Sequence, residues 1–153
     1  MHVAFPPSLD ADADPFPALL PMIGVMAKYP SAQDWDPDSP ALDLYLHGYV
    51  SSRLMRLSGK AEADANDGGE HEGLPLTVSA TLVDGIVLSL TPNSHSYNYR
   101  SAVVQGYGTL VTEQAEKLFA MEAVTNKVVP NRWANTRLPP TKTEMTTRNI
   151  LKV

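Results

Sequence analysis

Two stretches of the chain combine side chains that suit a ligand made of a phosphate and a flat ring. The first runs from His95 to Gly106 and places two tyrosines, an asparagine, an arginine and two serines around the start of an apolar run. The second, from Leu44 to Leu54, has a strand-like start, a turn with Gly48, two serines and Arg53. An arginine fork binds phosphate oxygens in pairs and stacks on aromatic faces. These residues alone predict a site for a phosphorylated or otherwise anionic small molecule.

Composition bounds the class of protein. The 153 residues fit one domain with a core of ordinary size. The formal net charge of −5 argues against a general nucleic-acid-binding protein, which normally carries a basic face. Without cysteine there is no disulfide, thiolate catalysis or zinc–sulfur site, and the four histidines lack ligand spacing. We therefore predict an intracellular protein without a structural metal.

No apolar segment has the length that a bilayer-spanning helix needs, which is about 20 residues. The longest one runs from Ala18 to Ala27, reaches about half of that length and contains Pro21 and Gly24. The segment from Met1 to Pro7 has neither the basic nor the apolar region of a secretory signal. The sequence thus predicts a cytoplasmic protein that binds neither membranes nor nucleic acid.

The first part of the chain is typical of strands separated by loops rich in proline and aspartate. A strand is predicted at Val3 to Phe5. A buried strand is predicted from Leu19 to Met26, with Pro21 at an edge or a bulge because proline lacks an N–H group. Leu42 to His47 alternates with period two, which predicts a half-buried strand.

A short helix is predicted after these strands. Ser51 or Ser52 can cap it, since a serine hydroxyl accepts a hydrogen bond from an unpaired amide of the first turn. We expect this helix to end at Leu57. The segment from Ser58 to Gly73 is poor in large apolar residues and is therefore predicted to be mobile.

The dipeptide Asp84-Gly85 lies between two β-rich runs, Leu76 to Leu82 and Ile86 to Leu90. Glycine accepts positive φ without steric cost, and Asp-Gly is a strong signal for a two-residue hairpin turn. The sequence therefore predicts a tight hairpin whose turn is centred on these two residues.

A strand from Arg100 to Val111 and a long helix follow. Gly106 and Gly108 inside the strand indicate a bulge or a close approach of backbone. Thr112 is a good cap for a helix that runs to about Val128, where Pro130 stops it. One face of this helix is predicted to be core. Its residues are Leu118, Met121, Val124 and Val128.

A short helix from Thr141 to Thr147 and a strand from Asn149 to Val153 complete the chain. This makes about six strands and one long helix, and most of the links are short, which suits antiparallel pairing. We therefore predict a mainly β, α+β fold, in which a small barrel carries the long helix on its flank. A Rossmann domain is not predicted, because Gly106-Tyr107-Gly108 lies inside a strand. A serine hydrolase is not predicted either, because the chain has no Gly-x-Ser-x-Gly motif.

Several blocks, in this order, resemble the flavin-binding split-barrel family related to pyridoxamine 5′-phosphate oxidase. The nitroimidazole-resistance reductases are distant relatives in that group. The blocks are Leu44 to Met55, Val83 to Val111, Glu116 to Val124 and Val129 to Met145. The resemblance implies an antiparallel split β-barrel that forms a homodimer and binds FMN in clefts between the subunits. It also implies a single domain over residues 1–153 that lacks the usual N-terminal arm and the last C-terminal segment.

The resemblance also implies roles for individual residues. Ser51, Ser52 and Arg53 would hold the FMN phosphate, and His47 would lie near the flavin as the candidate catalytic group. Tyr99, Arg100 and Ser101 would reach the phosphate or the ribityl chain. Leu20, Pro21, Met22 and Ile23 would present backbone groups to the isoalloxazine edge. Arg132, Trp133 and Arg137 would come from the loop that closes the site as a substrate lid, across the dimer interface.

Each of these residues also has an ordinary structural interpretation. Arg53 and Arg100 could pair with surface carboxylates, which contributes little to stability. His47 could be a hydrogen-bonded, half-buried side chain, and its ordinary pKa near neutrality also suits proton transfer. His95 lies in a polar turn, where a structural role or a place at the rim of a pocket is expected. Trp133 could simply pack against the neighbouring arginines.

The leading prediction is an FMN-dependent oxidoreductase that acts on a small organic substrate by hydride transfer at the flavin. The alternative is a dimeric split-barrel protein that has lost flavin and acts as a non-redox enzyme or a ligand-binding module. A third possibility is an incomplete barrel that folds poorly, because an unpaired strand edge promotes association.

Overall fold

The computed structural model describes residues 1–10, 15–30, 41–68 and 73–153. Over these ranges the chain forms seven strands, three α-helices and one short 3-10 helix. The strands are β1 (His2–Phe5), β2 (Ala18–Pro21), β3 (Gly24–Ala27), β4 (Asp43–Tyr49), β5 (Leu74–Val87), β6 (Ser96–Leu110) and β7 (Arg148–Lys152). The helices are α1 (Arg53–Asn66), α2 (Gln114–Val128) and α3 (Lys142–Thr147), and the 3-10 helix covers Trp133–Asn135.

All seven strands belong to one antiparallel sheet in the order β2-β1-β5-β6-β7-β4-β3. The strands β2 and β3 lie at its two ends, so the sheet is not closed within the part of the chain that the structure describes. The predicted α+β class with antiparallel pairing is confirmed. The seven strands agree with the prediction of about six, but the sheet of the described residues is not closed into a barrel.

The segment from Leu19 to Met26 is two strands rather than the predicted single buried strand. Pro21 ends β2, and Gly24 begins β3 at the opposite edge of the sheet. A proline has no N–H for a ladder and suits the end of an edge strand. Leu19 is 61% exposed, so β2 is not buried either. The chain between them, Met22 and Ile23, therefore lies where the two sheet edges approach each other.

The core has two parts on opposite faces of the sheet. On β4, Leu44 and Leu46 face the larger cluster, and Tyr45 between them faces a smaller cluster against α2. All three are buried, so β4 is covered on both faces and the predicted half-buried strand is wrong in that respect. The larger cluster comprises Val3, Phe5, Leu44, Leu46, Leu54, Met55, Ala61, Leu74, Leu76, Val78 and Leu151. The smaller comprises Tyr45, Val111, Ala120 and Ile150.

The helix α1 begins as predicted but does not end at Leu57. Ser52 is its cap, and its hydroxyl accepts a hydrogen bond from the Met55 amide at 3.4 Å. The helix continues to Asn66 because its buried face is built from small side chains: Ser58 and Ala61 are buried, and the Ser58 hydroxyl donates to the carbonyl of Leu54. The predicted mobile segment therefore starts as helix, and its residues 69–72 lie outside the described ranges.

The predicted hairpin at Asp84-Gly85 is wrong. The strand β5 runs through these residues to Val87, and only the register shifts between Val83 and Gly85. The shift is a β-bulge, which leaves Asp84 without a partner in the ladder. Its carboxylate instead accepts two hydrogen bonds from Arg100, at 2.9 and 3.0 Å. The chain reverses later, at residues 88–95.

The remaining predictions on local structure are confirmed in part. The helix α2 ends at Val128 as expected, although its cap is Glu113 rather than Thr112. Only Val124 of its predicted core face is buried, and Val128 is 57% exposed. The short helix and the last strand are α3 and β7.

Gly108 marks a close approach. A Cβ atom at this position would lie 2.6 Å from Leu76 Cδ1 and 2.8 Å from Leu151 Cδ2. The sequence predicts a bulge or a close approach of backbone at this glycine pair, whereas the groups that a Cβ at Gly108 would approach are core side chains.

None of the helices in the described ranges combines the length and the apolar character that crossing a membrane requires.

Candidate functional site

The structure brings several of the predicted site residues together in one depression at the start of α1. This α1 depression has a volume of about 530 Å³. It is lined by Met1, His2, Leu20, Pro21, Met22, Ile23, His47, Gly48, Ser52 and Leu54. The predicted backbone segment, the predicted histidine and one of the predicted serines thus share one surface.

The first turn of α1 forms one wall of the α1 depression. Ser51 and Arg53 lie on either side of Ser52, and both are exposed. The first amides of a helix have no partner within the helix, and its dipole favours negative charge at this end. Among the described residues, no carboxylate lies within ion-pair distance of Arg53. This arrangement can bind an anion.

The segment between β2 and β3 forms another part of the wall. The Met22 amide donates to the Met1 carbonyl at 2.9 Å, and the Met22 carbonyl accepts from the Met1 nitrogen at 3.2 Å. The main-chain groups of Met22 are therefore used inside the protein. Ile23, the next residue, lies at the boundary of the depression and also lines a second cavity.

That second cavity, the α2–α3 cleft, has a volume of about 570 Å³ and contains the three predicted lid residues. It is adjacent to the α1 depression, since Ile23 and His47 line both. Its lining comprises Ile23, His47, Met121, Val124, Thr125, Val128, Val129, Arg132, Trp133, Thr136, Arg137, Leu138, Pro140, Glu144 and Arg148. His47 thus lies between the α1 depression and the α2–α3 cleft.

The predicted lid residues are held by contacts within the chain. The Trp133 amide donates to Asn126 Oδ1 at 2.9 Å. Arg137 donates from Nη2 to both carboxylate oxygens of Glu144, at 2.9 and 2.7 Å. That contact, together with hydrogen bonds from the amide and hydroxyl of Thr141, lowers the pKa of Glu144 to about 2. Arg137 is therefore an ion-paired group next to the start of α3.

The sequence interpretation missed Arg148. In the β4–β7 pairing Arg148 lies directly opposite Tyr49, and its guanidinium carbon lies 3.6 Å from the centre of the Tyr49 ring. It also donates to the Tyr49 hydroxyl at 2.8 Å. Residues at alternate positions of a strand share a face, so His47, Tyr49 and Arg148 are neighbours on one side of the sheet. Only the strand register reveals this, because the two strands are about a hundred residues apart.

The environment of His47 favours its neutral form. His47 is exposed at the surface, yet its partial burial between the two cavities is the larger cause that lowers its pKa, and the positive charge of Arg148 lowers it further. A neutral imidazole has one nitrogen that donates and one that accepts a hydrogen bond. At neutral pH His47 can therefore both donate to and accept from a bound molecule.

Tyr99, Arg100 and Ser101 do not line either cavity within one chain. Tyr99 is 62% exposed on β6, and Arg100 is bound to Asp84 on the neighbouring strand. His95 has a structural contact in the same region, since its Nδ1 accepts from the Ser89 amide at 3.2 Å. These residues belong to an exposed part of the sheet that is separate from His47 and Ser52.

A family model described as pyridoxamine 5′-phosphate oxidase matches residues 1–153. The chain belongs to this family. The match confirms the resemblance inferred from the sequence blocks, and it covers the strands and helices that build both cavities. No curated protein gives a significant match to the sequence.

Solved structures of this fold cover nearly all of the chain. An FAD- and haem-binding protein from Mycobacterium smegmatis is 24% identical with a TM-score of 0.68, and the match covers 99% of this chain and 58% of that one. The flavocytochrome Anf3 from Azotobacter vinelandii is 18% identical with a TM-score of 0.62, over 99% of this chain and 56% of that one. This member of the pyridoxamine 5′-phosphate oxidase family thus spans less than two thirds of the length of either neighbour.

A third structure extends the comparison. It is a protein assigned to 5-nitroimidazole antibiotic resistance from Bacteroides thetaiotaomicron, 15% identical with a TM-score of 0.56. The match covers 99% of this chain and 69% of that one. At these identities the three structures show that the family member described here has their fold.

Proposed function

We propose that this protein is an FMN-binding oxidoreductase that holds its flavin at the α1 depression and acts on a small organic substrate. The observation that carries the proposal is the convergence of His47, Ser52 and the segment Leu20 to Ile23 around one depression at a helix start. The family and the flavin-binding neighbours support the same cofactor class.

The donors at the start of α1 suit the phosphate of FMN. Ser51 and Ser52 supply hydroxyls, the first turn supplies unpaired amides, and Arg53 supplies a guanidinium without a carboxylate partner in the described ranges. The part of the wall at Pro21 to Ile23 suits a flat ring, with Ile23 as its most open position since the main chain of Met22 is paired with Met1. The residues present thus fit both ends of the cofactor.

When bound, the flavin supplies hydride transfer, and the chain supplies binding, orientation and charge. His47 is placed to hydrogen-bond a ring or a substrate at the boundary of the two cavities. Its lowered pKa keeps the imidazole neutral at neutral pH, so that it can exchange a proton through either ring nitrogen. The α2–α3 cleft is the entry side for substrate in this proposal.

The proposal includes a homodimer. The outer parts of β5 and β6 with their turn, residues 80–104, form a ribbon with many exposed apolar side chains. They are Leu82, Val83, Ile86, Val87, Leu88, Leu90, Tyr97, Tyr99, Val103 and Val104. An apolar surface of this extent is typical of an interface. Since Tyr99, Arg100 and Ser101 lie on this ribbon, we assign them to the flavin site of the partner subunit.

The first experiment is an absorption spectrum of the purified protein with and without added FMN or FAD. We expect bound flavin at about one per subunit, identified as FMN by chromatography after release, and a haem band would test kinship with the haem-binding neighbours. Arg53→Ala should weaken FMN binding by roughly tenfold or more, since a charge-assisted contact to phosphate is lost. Arg56→Ala, an exposed position on the same helix, is the matched control.

Folded protein that takes up no flavin would contradict the proposal and favour the flavin-free alternative, a ligand-binding or non-redox member of the family. Equal FMN affinity in the Arg53 and Arg56 variants would contradict the placement of the phosphate at the start of α1. It would not contradict flavin binding itself.

A further inference from the structure

The α2–α3 cleft concentrates positive charge in an acidic protein. The chain has six arginines and a formal net charge of −5, and three of the arginines line this one cleft. Among the described residues that line the cleft, Glu144 is the one carboxylate, so three guanidinium groups there face one negative charge and leave an excess of two. The neutral form of His47 adds none. Such an excess is costly to gather without an anion to offset it.

The excess charge belongs to Arg132 and Arg148, because Arg137 is bound to Glu144 through both carboxylate oxygens. Arg132 donates to the Asn135 carbonyl at 3.3 Å, and Arg148 contacts the Tyr49 ring and hydroxyl. Neither has a carboxylate within ion-pair distance in the part of the chain that is described. Contacts to neutral groups orient these guanidinium groups and leave their charges uncompensated.

Apolar side chains form much of the remaining wall of the cleft. Val124 is buried, whereas Val128 and Leu138 are 57% and 44% exposed. Trp133 contributes an indole to the same wall, and its backbone is fixed by Asn126. Apolar walls with a few convergent polar groups are typical of small-molecule sites, and an indole offers a flat face for a ring.

We propose that the α2–α3 cleft selects a flat organic anion, with Arg132 and Arg148 binding its carboxylate and Trp133 contacting its ring. A carboxylate matches the planar guanidinium fork, and a conjugated ring matches the apolar wall. The inference names a substrate class for the proposed oxidoreductase and in that respect rests on it. It also replaces Arg137 by Arg148 as a recognition residue, since Arg137 is already occupied.

The test uses benzoate as the probe and benzamide, its neutral isostere, as the comparison. Binding is measured by titration calorimetry on the full chain, and the His47 ring signals in NMR spectra report whether the probe reaches the cleft. We expect benzoate to bind about tenfold or more tightly than benzamide and to shift the His47 signals. Arg132→Gln and Arg148→Gln should each weaken benzoate binding by roughly fivefold or more while leaving benzamide unchanged. Arg56→Gln, on α1, should have no effect.

Equal affinity for the two probes, or no benzoate binding at millimolar concentrations, would overturn the inference. So would a double variant, Arg132→Gln with Arg148→Gln, that binds benzoate as tightly as the wild-type chain. The titrations are run with and without FMN, and flavin content is read separately from absorption. Failure of flavin binding with intact benzoate selectivity would contradict the proposed function alone, and the reverse result would contradict this inference alone.

Discussion

His47 and Arg148 lie on the same face of the β4–β7 pair, where Arg148 faces Tyr49 and His47 is the next residue on that face. Burial and the Arg148 charge together lower the pKa of His47 from its ordinary 6.5. We predict that Arg148→Gln raises this pKa but leaves it below 6.5, because burial, the larger cause, remains. NMR titration of the His47 ring in the two proteins measures the change.

The lowered pKa of His47 also determines how its contribution to stability changes with pH. The native state binds the proton of His47 less readily than the unfolded state, so its contribution to stability is fully present above pH 6.5. That contribution is lost as the pH falls through the native pKa.

For the NMR titration of His47, Arg132→Gln is the control, since Arg132 lines the same cleft but is not among the causes of the pKa shift. An unchanged His47 pKa in Arg148→Gln would show that the two side chains are not electrostatically coupled.

A second prediction concerns the contact that joins α2 to the sheet. The buried Tyr45 donates its hydroxyl to Glu116 at 2.7 Å, and Lys152 donates to the same oxygen at 3.0 Å. Tyr45→Phe should lower the free energy of unfolding by about 2 kcal/mol, the usual cost of losing a hydrogen bond to a charged group. Urea denaturation measures it. Tyr29→Phe is the matched control, because Tyr29 also packs on Phe119 but its hydroxyl contact to Glu113 is exposed.

The pH dependence of this contact follows from Glu116. Burial raises its pKa, but the hydrogen bonds from Tyr45 and Lys152 outweigh burial and lower the pKa below 4.5. The stabilisation is therefore present above pH 4.5 and is lost as the pH falls through the native pKa. Tyr45→Phe should make the loss of stability in this acid range smaller. Equal effects of the Tyr45 and Tyr29 substitutions would show that the buried contact contributes nothing special.

The serine cap of α1 could be predicted from the sequence, but the extent of the helix that follows could not. Capping by Ser52 is a local property, since a hydroxyl and an amide three residues apart are enough for it. The continuation through Ser58 and Ala61 depends on packing against distant strands: Glu62, for example, accepts a hydrogen bond from the Leu110 amide. Small side chains such as serine and alanine give no clear hydrophobic periodicity in the sequence. They become part of the core only because a sheet covers them.

The error at Asp84 has a similar origin. Asp-Gly suits a two-residue turn, but a bulge places Asp84 beside Arg100 and gives its carboxylate a bidentate partner. That partner is sixteen residues away, and the local dipeptide contains no information about it. The candidate site shows the same division, since Arg132 and Arg137 could be selected from a family block, whereas Arg148 required the register of β7 on β4.

A third prediction tests the proposed interface on the β5–β6 ribbon. Ile86 is 68% exposed and contacts water in the single chain, but it would be buried if this ribbon meets a second copy. Ile86→Glu should therefore convert a dimer to a monomer, because a charge in an apolar interface loses its hydration. Light scattering after size-exclusion chromatography measures the mass. Leu19→Glu, at a comparably exposed position outside the ribbon, should leave the dimer intact.

The last prediction concerns Gly108, on β6 between β5 and β7. A Cβ at Gly108 would lie 2.6 Å from Leu76 and 2.8 Å from Leu151, which are 4% and 0% exposed. Neither leucine can withdraw without moving its core neighbours, so Gly108→Ala should destabilise the fold by about 1–3 kcal/mol, as overpacked cores do. Gly85→Ala is the control, since a Cβ there meets no described atom within 4 Å. Urea midpoints of the two variants decide the matter: if they are equal, the core around Leu76 and Leu151 adapts to the added methyl group.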